Sequence, residues 1–514
     1  MLARLRYLLF PVLNIIGTIL LLFSCVHLIG LAVSVFFQDG AGFGFFLGAI
    51  VTSCGALILI ALTRQDKRDL LPRDGFLLAT LLWSVLPIFA AVPLMTLQDV
   101  SFSQAYFESM SGITTTCATA FSVENLPESI NFWRCLLSWL GGMGILVLAI
   151  ALLPLMGVGG SQLFRFVTLC QSAPSISPLF GIGTNKSSVT NAEIGSTIEA
   201  TKLTPRIAST VKGLWWIYVA LSLACFLGYK LAGMTGFDAL VHAFSTVSLG
   251  GFSSHDTSFA FWSDNTINLV CILFMFLSGI SFSLHFLAWK KRSLLLYAQD
   301  PEARAWLFVL AIGVFTVFIV LTINAVYDSV GDTFLFALFN VISIASTTGF
   351  SSTDYNHWPV TACVIMLCLA AFSTCSGSIG GGIKMLRALI LTKQLSRGFL
   401  QTLHPNAVIP LRINRVTIPD PIVFMVLNFI VLWVATLLTA SVLLIASGLD
   451  VASAFSAVFA CLTNTGPGLE KVGPAVNYGT LSTVQLWLCT SCMLIGRLEI
   501  VTVFVIFTRD FWRV

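Results

Sequence analysis

The sequence predicts an all-α polytopic membrane protein with ten transmembrane helices, and three observations carry that expectation. The 514 residues are 57% hydrophobic and only 10% charged, with a mean hydropathy of +0.93. No water-soluble core of this size hides so much apolar surface. Ten stretches reach the roughly 20 apolar residues that cross a hydrocarbon core. Finally, four short hydroxyl- and glycine-rich runs recur in register between those stretches.

The spans fall at about 7–37, 43–63, 75–97, 131–157, 208–234, 262–289, 304–327, 358–395 with an interruption, 420–447 and 480–508. The first is too long for a signal peptide and is followed at once by a second span, so it reads as retained. An even number of spans puts both termini on one side. Lys and Arg decide which side: with the N-terminus inside, 23 of the 27 fall in cytoplasmic connections, Arg134, Lys230 and Lys471 fall outside, and Arg497 lies in the membrane. Thirteen acidic residues, among them Glu108, Asp238, Asp256, Asp354 and Glu470, then face out, leaving the outer face at about −10. Such a mouth would concentrate cations, although the same asymmetry follows from where basic residues are forbidden.

Four apolar pieces near 103–113, 238–246, 333–344 and 450–462 are too short to span and suit re-entrant half-helices. Asp238, Asp332 and Asp450 stand near the starts of three, where a carboxylate favours a helix N-terminus. Each piece leads into one of the recurring runs, at 114–118, 247–252, 343–352 and 462–467. Twelve residues before Cys117, Gly251, Gly349 and Gly466 stand Ala105, Ala239, Ala337 and Ala454, and seven before stand Met110, Phe244, Ile342 and Phe459. Four matches in register indicate a fourfold internal repeat.

Non-helical backbone at membrane depth is tolerated only where protein buries it or where it lines a watery cavity. Four such loops imply four pseudo-repeated helix, half-helix, loop, helix units around one central pore. The half-helices aim their partly negative C-terminal ends at the axis, and the runs offer rings of carbonyl oxygens, as in a cation selectivity filter. No Asp or Glu lies in any run, which favours a large monovalent ion over calcium or magnesium. The expected divisions are 1–70, two preliminary helices; 71–160, repeat 1; 161–204, a cytoplasmic connection with room for an interfacial helix; 205–293, repeat 2; 300–397, repeat 3; and 415–514, repeat 4.

Within repeat 3, residues 373–383 interrupt a span. They include Gly377, Gly380, Gly381 and Gly382, and glycine inside a helix costs roughly 1 kcal/mol relative to alanine. Arg497 sits near the centre of the last span, where a cation costs on the order of 2.5–3.5 kcal/mol, so it faces water or a counter-charge. Glu499, two residues on, is a poor intrahelical partner. Lys384 and Arg387 read as cytoplasmic anchors. The 13 cysteines lie mostly in apolar segments without the spacing of a disulfide framework or zinc site. A P-loop, a dinucleotide fingerprint and a catalytic triad are missing from the sequence, so an enzyme is not expected, nor a cofactor in this chain, nor nucleic-acid binding.

The ordered series SGITTTCATAF (111–121), WLGGMGILVLAIALLPLMGVGG (139–160), KLTPRIA (202–208), FSTVSLGGFSSHD (244–256), ASTTGFSSTDY (345–355), SGSIGGGIK (376–384), TNTGPGL (463–469) and GRLEI (496–500) resembles the TrkH/TrkG potassium-uptake family of bacterial inner membranes, in the superfamily that also holds KtrB and the plant HKT transporters. The resemblance implies potassium as substrate, three residues of each run as the filter (Thr115, Thr116 and Cys117; Leu249, Gly250 and Gly251; Thr347, Thr348 and Gly349; Asn464, Thr465 and Gly466), 373–383 as an intramembrane gating loop and Arg497 as an electrostatic barrier in the pore. It also implies a homodimer in membrane lipid and a cytosolic, nucleotide-sensing, TrkA-like regulatory subunit. Cys117 departs from the family pattern, which has glycine there. Two readings stand: three glycines suffice for potassium preference, or the β-carbon loosens discrimination and admits sodium. A cation-coupled secondary symporter is the alternative of a different class, but such folds show inverted repeats rather than four half-helices of one sense.

Overall fold

A computed structural model of the chain describes residues 2–64, 68, 70–148, 200–372, 374–414 and 416–513. The expected connection up to residue 199, the end of the fourth expected span from 149, and Ser373 lie outside the described residues. Among the described residues seven helices are long and apolar enough to cross a membrane, or nine if each of two bent pairs is one span. The eighth expected span is two helices, Val360–Ala371 and Met385–Leu403, separated by the glycine-rich stretch and joined across it by a bridge between Phe372 and Ile383. Large apolar side chains such as Phe36, Phe43, Leu231, Phe308 and Phe424 stand exposed, as on a surface solvated by hydrocarbon rather than water.

The short helices are Phe102–Ile113, Gly236–Val247, Val330–Ala345 and Val451–Thr463. Their sequences dictate how they begin. Ser101 accepts from the Gln104 amide at 3.3 Å while the Gln104 side chain accepts from Ser101, a reciprocal cap. Asp450 caps the fourth helix by accepting from Ser453 N at 3.0 Å. At the other two, the caps are hydroxyls three residues before the aspartates: Thr235 accepts from Asp238 N and Ser329 from Asp332 N. Asp238 and Asp332 therefore lie inside the first turn rather than at the cap.

How they end is the fold's most regular feature. At the C-terminus of each, one amide bonds back three residues and the next bonds back five: Thr115 N to Gly112 O and Thr116 N to Ser111 O; Leu249 N to Thr246 O and Gly250 N to Ser245 O; Thr347 N to Ile344 O and Thr348 N to Ser343 O; Asn464 N to Cys461 O and Thr465 N to Ala460 O. This Schellman-type ending places a left-handed residue just past the helix. Here that residue is Thr115 (φ 51°), Leu249 (53°), Thr347 (59°) or Asn464 (55°), never glycine. Two positions on, the backbone turns left-handed again, at Cys117 (70°), Gly251 (62°), Gly349 (86°) and Gly466 (90°). The in-register alanines 105, 239, 337 and 454 are all fully buried, as a helix face packed at close approach demands.

Two expected spans are broken rather than continuous. Asn265–Gly279 and Phe282–Lys291 meet at 92°, and Thr483–Arg497 and Ile500–Ile506 at 109°. The first bend strands backbone groups, and the glycine-rich stretch answers them: Cys375 N donates to Gly279 O at 3.1 Å and Phe282 N to Gly377 O at 3.1 Å. The second bend turns on Glu499, held at φ 62°.

The helical hairpin Leu2–Phe37 and Gly42–Thr63 is tied to the rest at its turn, where Asp39 accepts from Ser34 Oγ at 2.5 Å, Ala41 N at 3.1 Å and Ser129 N at 2.8 Å. Partial burial pushes the Asp39 carboxyl up, but these donors outweigh it and hold it below the usual carboxylate range.

Candidate ion pathway

The four runs converge. Built onto the backbone, a β-carbon on Gly251 would stand 1.9 Å from Thr348 O, one on Gly349 2.1 Å from Thr465 O, and one on Gly466 2.2 Å from Thr116 O. Each glycine thus lies against the middle carbonyl of the next run, and no side chain fits between. Cys117 is the fourth member of this ring. Its β-carbon has room because Gly251 and Gly466 flank it: a β-carbon on either would come within 2.9 Å of it. All twelve residues expected at the filter are brought together here, and all but Cys117 are fully buried.

Hydroxyls brace three of the runs from behind. Thr114 Oγ1 pairs with Thr116 Oγ1 at 2.7 Å, Ser346 Oγ with Thr348 Oγ1 at 2.6 Å and Thr463 Oγ1 with Thr465 Oγ1 at 2.9 Å. Asn464 Nδ2 donates to Thr116 Oγ1 and to Met493 O, both at 3.0 Å, linking the fourth run to the first and to the helix Thr483–Arg497.

The chain returning from each run is clasped by a polar side chain on its own short helix. Glu108 accepts from Ala120 N at 2.9 Å, Asn340 from Ser352 N at 3.3 Å and Ser456 from Leu469 N at 3.0 Å, while His242 bonds Ser253 Oγ at 3.0 Å. These stand nine positions before Cys117, Gly251 and Gly349, and ten before Gly466. Sequence reasoning missed them as a set because four different chemistries do one job; a polar residue at fixed spacing on each apolar short helix was the available signal. Glu108, expected on the acidic outer face, is instead buried: it meets Arg134 Nε at 2.6 Å, and the guanidinium lies over the Phe252 ring at 4.4 Å. Arg134 is likewise interior rather than a loop charge, and Asp238 is buried, accepting from Ser254 and Thr235 hydroxyls. Desolvation drives both pairings, since an unpartnered charge at this depth costs several kcal/mol.

On one side of the ring opens a vestibule of about 180 Å³ whose floor includes Cys117, Gly251, Gly349 and Gly466 and whose wall includes Asp256. On the other side lies a cavity of about 100 Å³ lined by Ser376 to Gly382, Lys384, Arg387, Gly496, Arg497 and Glu499. Gly377, Gly380, Gly381, Gly382 and Arg497 therefore share one space beneath the runs. Gly381 N donates to Thr347 Oγ1 at 3.1 Å, so the glycine-rich stretch touches the third run directly. A β-carbon on Gly381 would lie 2.2 Å from Thr463 O, which explains a glycine there without appeal to flexibility.

Arg497 Nη1 donates to Ile379 O at 2.7 Å. Its Nε and Nη2 are buried without a hydrogen-bond partner. Lys384 and Arg387 are not free anchors. Lys384 Nζ donates to Ser378 O at 3.1 Å and to Gly380 O, and Arg387 pairs with Glu499 at 2.8 Å over the Phe429 ring. Three consecutive carbonyls of the stretch, at 378, 379 and 380, are thus held by two cations. Glu302 accepts from Ser376 N at 3.1 Å and pins its other limb.

A family model described as TrkH, cation transport protein, matches residues 41–169 and 172–513. The chain belongs to the TrkH family. It is 40% identical over 506 residues to the Trk system potassium uptake protein TrkH of Halomonas elongata, covering 98% of this chain and 99% of that one. To the TrkH of Escherichia coli K12 it is 38% identical over 503 residues, covering 97% and 98%, and to the TrkG of the same strain 33% identical, covering 97% of each. The crystal structure of the potassium transporter TrkH from Vibrio parahaemolyticus superposes with a TM-score of 0.86 at 36% identity, covering 98% of this chain and 100% of that one. Membership of a transport family, together with the apolar helices, makes this chain an integral membrane transport protein and not an enzyme.

Proposed function

We propose that the chain takes up potassium across the bacterial inner membrane through a filter made by the four runs. One observation carries the reading: four in-register runs share a single backbone conformation, and three of them set a glycine against the carbonyl of the next, between two cavities. Ten spans, counting the broken ones, arrange four helix, half-helix, loop, helix units about one pore. Both termini are cytoplasmic, so the vestibule faces out. Oxygens supplied without carboxylates replace the hydration shell of a weakly hydrated monovalent ion. The names that the relatives carry support potassium as that ion.

Below the filter, residues 373–383 close the pore and Arg497 adds a positive barrier. Opening requires the loop's carbonyls to leave Lys384 and Arg497. A cytosolic TrkA-like nucleotide-binding subunit supplies that push, and two copies of this chain form the transport unit. Cys117 favours a second reading of the same pore, in which sodium also permeates, because it adds a side chain where the other three units have none.

Expression in a strain lacking its own potassium uptake tests the reading. Growth at low external potassium supports it; growth restored by neither the chain alone nor the chain with its regulatory subunit, at normal membrane abundance, would refute it.

A further inference from the structure

Three of the four filter runs carry a hydroxyl at their middle position, and the second does not. Thr116, Thr348 and Thr465 each pair with a hydroxyl two residues earlier, whereas Gly250 has no side chain to offer. Ser248, which occupies the earlier position in this run, pairs elsewhere. Its Oγ meets Ser138 Oγ at 2.9 Å, on the neighbouring helix Glu128–Val147. A β-carbon built onto Gly250 would stand 1.8 Å from Ser138 Oγ and 3.1 Å from its β-carbon. Ser138 therefore fills the volume that a threonine at 250 would take, and both serines are fully buried.

We propose that Ser138 supplies, from the outer helix of the first unit, the hydroxyl that the second filter run lacks, and so acts as a positioning residue for ion selectivity. This rests on the filter reading. A serine inside a helix ordinarily bonds back to its own turn. Here the hydroxyl instead braces another unit's run, and replaces a cis contact by one made across the packing of two units. The width of the ring at this level then depends on how the helix Glu128–Val147 seats against the second run.

The test uses the full-length protein in liposomes, with potassium and sodium fluxes measured for each variant. Ser138→Ala preserves the helix and nearly the volume, and is expected to lower the potassium-to-sodium permeability ratio about fivefold, the factor that one lost buried hydrogen bond is worth. Gly250→Ser alone is expected to abolish flux at normal abundance, because its β-carbon collides with Ser138. Ser138→Gly combined with Gly250→Ser returns the hydroxyl to the run itself and is expected to restore both flux and ratio. A wild-type ratio in Ser138→Ala, or a well-folded double variant no better than Gly250→Ser, would overturn the proposal. Gly349→Ala separates it from its premise: if that variant also leaves flux and ratio untouched, the filter reading fails; if it abolishes flux while Ser138→Ala changes nothing, Ser138 alone is wrong.

Discussion

Cys117 is the residue that divides the two proposed readings of selectivity. It holds φ 70° with a β-carbon, a conformation that costs a side-chain-bearing residue roughly 1–2 kcal/mol. Glycines at 251 and 466 leave it space, so it strains its own backbone without colliding with its neighbours. Cys117→Gly is expected to raise the potassium-to-sodium permeability ratio and to stabilise the protein by about 1 kcal/mol, read as a higher melting temperature in detergent. An unchanged ratio would mean that three glycines already suffice. Gly349→Ala differs in kind. Its added β-carbon meets Thr465 O at 2.1 Å, a contact that backbone cannot yield, so flux is expected to vanish while membrane abundance stays near normal. Glu108→Ala strands Arg134 in the interior, a loss of about 3–5 kcal/mol, and is expected to lower the melting temperature before any change in selectivity is read.

At the scale of elements, what the sequence made legible follows from how strongly each element is dictated. The short helices and their runs were readable because length, apolarity and the in-register alanines all point one way. The bends at Ile280–Ser281 and Leu498–Glu499 were not, since no proline marks them, and at the first the freed backbone groups are answered by a distant stretch. Glu108, His242, Asn340 and Ser456 were invisible as a set because the clasp demands a polar atom rather than a residue type. Lys384 read as an ordinary anchor because its partners are backbone carbonyls, which composition does not reveal. The loop they hold yields its own prediction. Arg497→Ala removes both a barrier charge and the bond to Ile379 O, and is expected to raise flux several-fold at unchanged abundance; reduced abundance would mark Arg497 as a packing residue instead. Lys384→Met releases the carbonyls of Ser378 and Gly380 and is expected to raise flux as well, with the filter's ion preference unchanged because no filter residue is touched.

Across the whole molecule, among the described residues, many large apolar side chains face outward while several charges are paired inside. Among the described residues the interior holds its buried acids against partners: Glu108 with Arg134, Asp238 with hydroxyls, Glu302 with the Ser376 amide. Arg497 keeps its Nε and Nη2 without a hydrogen-bond partner and lines the cavity below the runs. In the function proposed above, a pore neutral in its filter and positive beneath it passes a monovalent cation only when the loop and arginine give way, and control then lies on the side where the proposed regulatory subunit would bind. The decisive measurement is ion flux into liposomes holding the purified chain with its regulatory subunit, comparing potassium, sodium and calcium gradients. Potassium flux exceeding sodium flux, with no calcium flux, and all of it lost in Gly349→Ala, is the expected result. Equal flux of all three ions, or potassium flux that survives Gly349→Ala, would contradict a filter built from the four runs.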